Sequence, residues 1–152
     1  MAVGRLSGEM PMRPNPVLRR ALGVALAAAM LAPAWLAAQS VMPLRFTPGT
    51  NTASVNGQLK GPNETARDYV VQSVPGAALD VSLRTSSKET YFSVLHPNGE
   101  TLYSSQGDQR TAWNGRLIDG GNYRVRVFLD PAAASQGRGA TYTLNVKFEP
   151  PR

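Results

Sequence analysis

The segment from Tyr123 to Leu129 constrains this chain more than any other. Tyr123, Val125, Val127 and Leu129 alternate strictly with Arg124, Arg126 and Phe128. A period of two sends successive side chains to opposite faces, so this is a strand with one apolar face. The same rhythm returns where Tyr142, Leu144, Val146 and Phe148 alternate with Thr141, Thr143, Asn145 and Lys147. It appears a third time where Leu79, Val81 and Leu83 alternate with Asp80, Ser82 and Arg84. If the last two strands pair, their apolar faces share one side. Val127 is then core and Arg126 surface.

Turn residues parcel out the remainder. Pro75-Gly76, Pro97-Asn98-Gly99 and Asp119-Gly120-Gly121 are turns with a mechanism, since proline presets one dihedral and glycine or asparagine tolerates positive φ. Strand composition falls between them at 54–60, 68–74, 91–96, 100–104 and 112–118, after a short opening strand at 44–47. Residues 61–67 and 105–110 read as polar loops. The loop at 130–139 is long for a hairpin, and both a tolerated insertion and a binding loop are open readings. About eight short strands without an amphipathic helix predict an all-β fold: a single antiparallel β-sandwich, jelly-roll-like. Tyr69, Tyr91, Phe92, Trp113, Tyr123, Tyr142 and Phe148 fall on strands and read as core, whereas Tyr103 reads as surface.

The N-terminus has a different character. Arg13, Arg19 and Arg20 precede an apolar run at 21–38 that ends in Leu36-Ala37-Ala38, the anatomy of a cleavable secretory signal. The expected division is a signal peptide over 1–38 and the sandwich domain over 39–152, with Gln39 leading the exported protein. Export to the periplasm follows, with no stable membrane insertion once the signal is cut. Cysteine is absent, so neither a lipid anchor at the cut site nor disulfides are available, and the core alone must hold the fold. Removal of Arg5, Arg13, Arg19, Arg20 and Glu9 lowers the formal charge from +6 to +3. The remaining cations are scattered, which argues against nucleic acid as a partner.

Catalytic chemistry needs convergent titratable groups, and the inventory is thin. The one histidine, His96, stands at a strand end before a turn and reads as exposed there. A Ser-His-Asp arrangement would need Ser93 or Ser104 and an acid such as Asp108, and no nucleophile-elbow motif supports it. With one histidine and no cysteine a zinc site is excluded, and the acids are too dispersed for a calcium loop. No cofactor is expected, and the chain reads as a non-enzyme. An unpaired edge strand would allow a homodimer.

The mature chain resembles the bacterial periplasmic inhibitors of goose-type lysozyme, a family related in shape to the pre-peptidase C-terminal β-sandwich domains. The carriers run from Arg45-Phe46 and Gly49 through Gly57, Lys60-Gly61, Asp68-Tyr69 and Tyr91-Phe92. They continue through Gly121, Tyr123 and Arg126-Val127 to Ala133-Ala134 and Ala140-Thr141-Tyr142 with Leu144 and Val146. The resemblance implies a partner, a lysozyme or another peptidoglycan-lytic enzyme, blocked by loops inserted into its cleft. Partner-binding residues are then expected at Arg138 and Asp130 in the last loop, with Lys60 and Arg67 bracketing another. Arginines are frequent in the family's last loop, yet Pro131 and Ser135 stand at those positions here and only Arg138 remains. That departure bears on inhibition, not on fold or compartment. The alternative is a pre-peptidase-like module that binds envelope polysaccharide or an envelope protein, with Tyr103 or Trp113 as its platform.

Overall fold

Each alternating strand has one apolar face that must be buried. The structure, a computed structural model describing residues 41–152, buries these faces against one another in two sheets. In chain order the strands are β1 (Val41–Pro43), β2 (Thr52–Lys60), β3 (Ala66–Ser73), β4 (Ala78–Thr85), β5 (Thr90–Leu95), β6 (Thr101–Ser104), β7 (Ala112–Arg116), β8 (Gly121–Leu129) and β9 (Gly139–Glu149). Two helical turns interrupt them, α1 (Ser105–Asp108) and α2 (Pro131–Ser135). One sheet has the order β1-β3-β8-β5-β6 and the other β2-β9-β4-β7. All pairs are antiparallel except β1 with β3. The expected all-β sandwich is what forms, with about nine strands.

The core lies between the sheets. Tyr69, Val71, Phe92, Val94, Tyr123, Val125 and Val127 of one sheet meet Leu59, Leu79, Val81, Tyr142, Leu144 and Val146 of the other. Its polar centre is a hydroxyl pair: Tyr69 Oη and Tyr142 Oη lie 2.6 Å apart, buried, with their rings edge to face. A buried phenol needs such a partner. Gly57, the register partner of Tyr142, makes room for that ring, because a Cβ there would sit 2.3 Å from Cζ.

Several expectations are corrected. The last two strands do not pair: β8 lies between β3 and β5, and β9 between β2 and β4. Their apolar faces look at each other across the core, so Val127 is buried as expected while the register argument for Arg126 fails. Arg126 makes a two-pronged contact with Asp68 at 2.7 and 2.8 Å, and Asp68 is fully buried. The opening strand is Val41–Pro43, not 44–47, although the Leu44 N–H still donates to the Val70 carbonyl. Strand β7 stops at Arg116, leaving Ile118 72% exposed beside the turn, and β3 stops at Ser73, leaving Val74 outside. Tyr91, Trp113 and Phe148 are half-buried, not fully core. The Pro75-Gly76 and Pro97-Asn98-Gly99 turns form as read, with Gly76 and Gly99 at φ +83° and +92°. The signal-peptide reading lies outside the described residues.

Candidate functional site

Four connections gather at one end of the sandwich: β2–β3, β4–β5, β6–β7 and β8–β9. Backbone hydrogen bonds tie three of them into a rim, and the Gln106 side chain joins the β6–β7 connection to Asp130. The Gly61 N–H donates to the Arg138 carbonyl, the Leu129 N–H to the Thr65 carbonyl, and the Asp130 N–H to the Glu89 carbonyl. Packing reinforces the first of these. A Cβ on Gly61 would lie 2.6 Å from the Ala134 carbonyl oxygen and 2.7 Å from its Cα, so only glycine allows the β2–β3 loop to seat on α2. Ala133 and Ala134 are correspondingly buried.

The 130–139 stretch is thus not a plain loop. Asp130 caps α2 by accepting the Ala132 N–H at 2.9 Å, and Pro131 occupies the first turn. Gly137, at φ +72°, closes it while the Gly137 and Arg138 N–H groups donate to the Ala134 and Ala133 carbonyls. An acceptor before proline at the start and a left-handed glycine at the end are the ordinary stop and start signals of a helix.

Four of the five expected partner-binding residues share this rim: Lys60, Arg67, Asp130 and Arg138. Their availability differs. Arg67 is partly buried and paired with Glu64, whose hydrogen bond raises the guanidinium pKa further. It holds the β2–β3 connection together. Asp130 is held by its cap and by a 3.2 Å hydrogen bond from Gln106. Arg138 pairs with Glu89 at 2.5 Å, but both are solvent-exposed, and such a pair is worth under about 1 kcal/mol. Exchange for a better partner is therefore cheap. Lys60 has no ion pair among the described residues.

Tyr103 lies apart from the other four. It sits on edge strand β6, half-buried, with its ring stacked on Trp113 of edge strand β7 at 5.5 Å and 20°. The stack closes the open side between the two sheet edges. The Tyr103 hydroxyl donates to Asp108 at 2.8 Å. Burial, then that hydrogen bond, pushes its pKa up to about 12. Tyr103 is thus less available than its polar neighbours imply. His96 is half-buried too: its ring packs 5.5 Å from Tyr123 and its Nδ1 lies 3.4 Å from Asp119. Ser93 and Ser104 are register partners across β5 and β6, while His96 meets Asp119 and Asp108 serves Tyr103, so the histidine and that acid are engaged separately. No group of three or more metal-ligating side chains is found among the described residues.

Known structures share this fold. The PliG periplasmic inhibitor of g-type lysozyme from Aeromonas hydrophila superposes with a TM-score of 0.64 at 23% identity, over 72% of this chain and 96% of that one. The chain has the fold of the goose-type lysozyme inhibitors. A mutant of the Escherichia coli PliG gives a TM-score of 0.56 at 19% identity, over 74% of this chain and all of that one. The pre-peptidase C-terminal domain of a Bacillus anthracis collagenase gives 0.50 at 15% identity, over 72% and 94%. No protein-family model and no curated protein sequence matches the chain. The resemblance carried by Gly57, Lys60-Gly61 and Ala133-Ala134 thus holds at the level of fold. Two of those motifs have a packing reason, because Gly57 seats Tyr142 and Gly61 seats Ala134.

Proposed function

We propose that this chain is an exported, periplasmic binding protein that inhibits a goose-type lysozyme by presenting the four-loop rim to its cleft. The observation that carries the proposal is the rim: loops fixed to one another before any partner arrives lose little freedom on docking. The three PliG structures that share the fold are described as inhibitors of g-type lysozyme. Action is by binding and not by catalysis. Arg138 and Lys60 are the contacts, Asp130 and Arg67 the scaffold that sets them. An arginine offers a fixed fork of donors to a carboxylate, a geometry that lysine does not reproduce. Arg138→Ala should weaken inhibition of goose-type lysozyme by about 30-fold or more, the usual loss for one partner of a desolvated charge pair. Tyr103→Ala should leave inhibition within a few-fold. The reverse ranking would overturn the assignment.

A second reading, a polysaccharide-binding module, is favoured by one feature. The outer face of the four-stranded sheet carries a groove of about 470 Å³ lined by Ser54, Asp80, Ser82, Asn114, Asn145 and Lys147. Its amides and hydroxyls suit sugar hydroxyls. Pull-down of the protein by peptidoglycan, abolished by Asn145→Ala and not by Arg138→Ala, would establish this reading instead.

A further inference from the structure

The end of β4 and the connection to β5 read Arg84-Thr85-Ser86-Ser87-Lys88 and line a cleft of about 670 Å³. That is the size of a small-molecule site. Three cations border it, Arg84, Lys88 and Arg110, and no acid lines it. Arg84 and Lys88 have no ion pair among the described residues, and Arg110 meets Asp108 only at 3.5 Å with its side chain 76% exposed.

The hydroxyls are poised in one sense. Thr85 Oγ1 accepts the Ser87 N–H, Ser87 Oγ accepts the Glu89 N–H, and Ser86 Oγ accepts the Thr141 N–H. Each oxygen is oriented by an incoming donor, while its own O–H has no acceptor among the described residues. Thr90 also lines the cleft. It is 6% exposed, and its Oγ1 is the buried side-chain polar atom without a hydrogen-bond partner among those residues. A buried hydroxyl left without a partner is unfavourable, so the folded chain holds a standing demand for an acceptor there. The cleft therefore offers donors and positive charge, and no carboxylate lines it.

We propose that this cleft binds a small anionic molecule through its carboxylate or phosphate group. Arg84 and Lys88 supply charge-assisted hydrogen bonds, and the Thr85, Ser86, Ser87 and Thr90 hydroxyls complete the coordination of its oxygens. The cleft occupies the β4–β5 and β6–β7 part of the same rim, apart from Arg138 and Lys60, and anion binding there is read without lysozyme, so it stands whether or not that reading survives.

The test is an amide-resolved NMR titration of the exported protein with inorganic phosphate, with glucuronate, and with neutral glucose. The expected result is saturable shifts at 84–90 and 109–111 with an anion and none with glucose. The anion that saturates at lower concentration identifies the class. Arg84→Gln with Lys88→Gln should weaken that binding at least about tenfold. Thr90→Val keeps the shape and removes the hydroxyl, so it should weaken binding several-fold while the melting temperature stays level or rises. Absence of saturable shifts with both anions overturns the proposal. So do equal shifts with glucose, or wild-type anion affinity in the Arg84/Lys88 variant.

Discussion

Arg126→Ala should be among the most damaging substitutions on the outer face of the five-stranded sheet. Asp68 is fully buried there, and both of its carboxylate oxygens are engaged by Arg126, at 2.7 and 2.8 Å. Arg124 lies farther off at 3.7 Å. Truncating Arg126 removes both short contacts and leaves a buried carboxylate with one distant cation. Breaking a buried pair by deleting one partner typically costs about 3–5 kcal/mol. Because Arg126 is itself about a quarter exposed, the lower figure of about 3 kcal/mol is the expectation. At about 5 °C per kcal/mol for a domain of this size, the melting temperature should fall by roughly 15 °C. The double variant Asp68→Leu/Arg126→Leu should recover most of that loss, since an apolar pair leaves no charge stranded. Urea titrations of the three proteins decide the matter. An Arg126→Ala loss below about 1 kcal/mol, the range of an exposed pair, would refute the reasoning.

Three further perturbations test other parts of the account. Val127→Asp puts an unpaired carboxylate into the core and should cost several kcal/mol in the same titration. Gly61→Ala forces a Cβ against the Ala134 backbone and should lose about 1–3 kcal/mol together with inhibitory activity; full retention of both would mean the two loops are not locked. Tyr103 holds its proton more tightly in the folded protein, with a pKa of about 12. Its contribution to stability is intact below about pH 10 and fades toward pH 12, so Tyr103→Phe should flatten the melting-temperature profile over that interval.

The faces of the strands were legible because period-two alternation depends on the pleat alone. Val125, Val127, Leu144 and Val146 are buried where the pattern puts them. Which strands pair was not legible. Strands β8 and β9 are neighbours in sequence, but they lie in opposite sheets about 10 Å apart, a span that a tight hairpin cannot cross. The length of the 130–139 connection was the available sign, and its Asp-Pro start and glycine end were the sign of a helical turn. Arg126 looked like a surface residue because Asp68 lies 58 positions away, and only the β3–β8 register brings the two together. Lys60, Arg67, Asp130 and Arg138 were picked as charges in or bracketing two loops, which the fold brings to one rim. Glu89, Arg84, Lys88 and Thr90 were not, since an isolated stretch of hydroxyls and charge looks the same on any solvated loop.

The most direct test of inhibition measures lysis of bacterial cell walls by a goose-type lysozyme in the presence of increasing amounts of the purified protein, with chicken-type lysozyme alongside. Goose-type lysis should fall to a small residue once the protein exceeds the enzyme, while chicken-type lysis continues. Undiminished goose-type lysis at a large molar excess would contradict the proposed function.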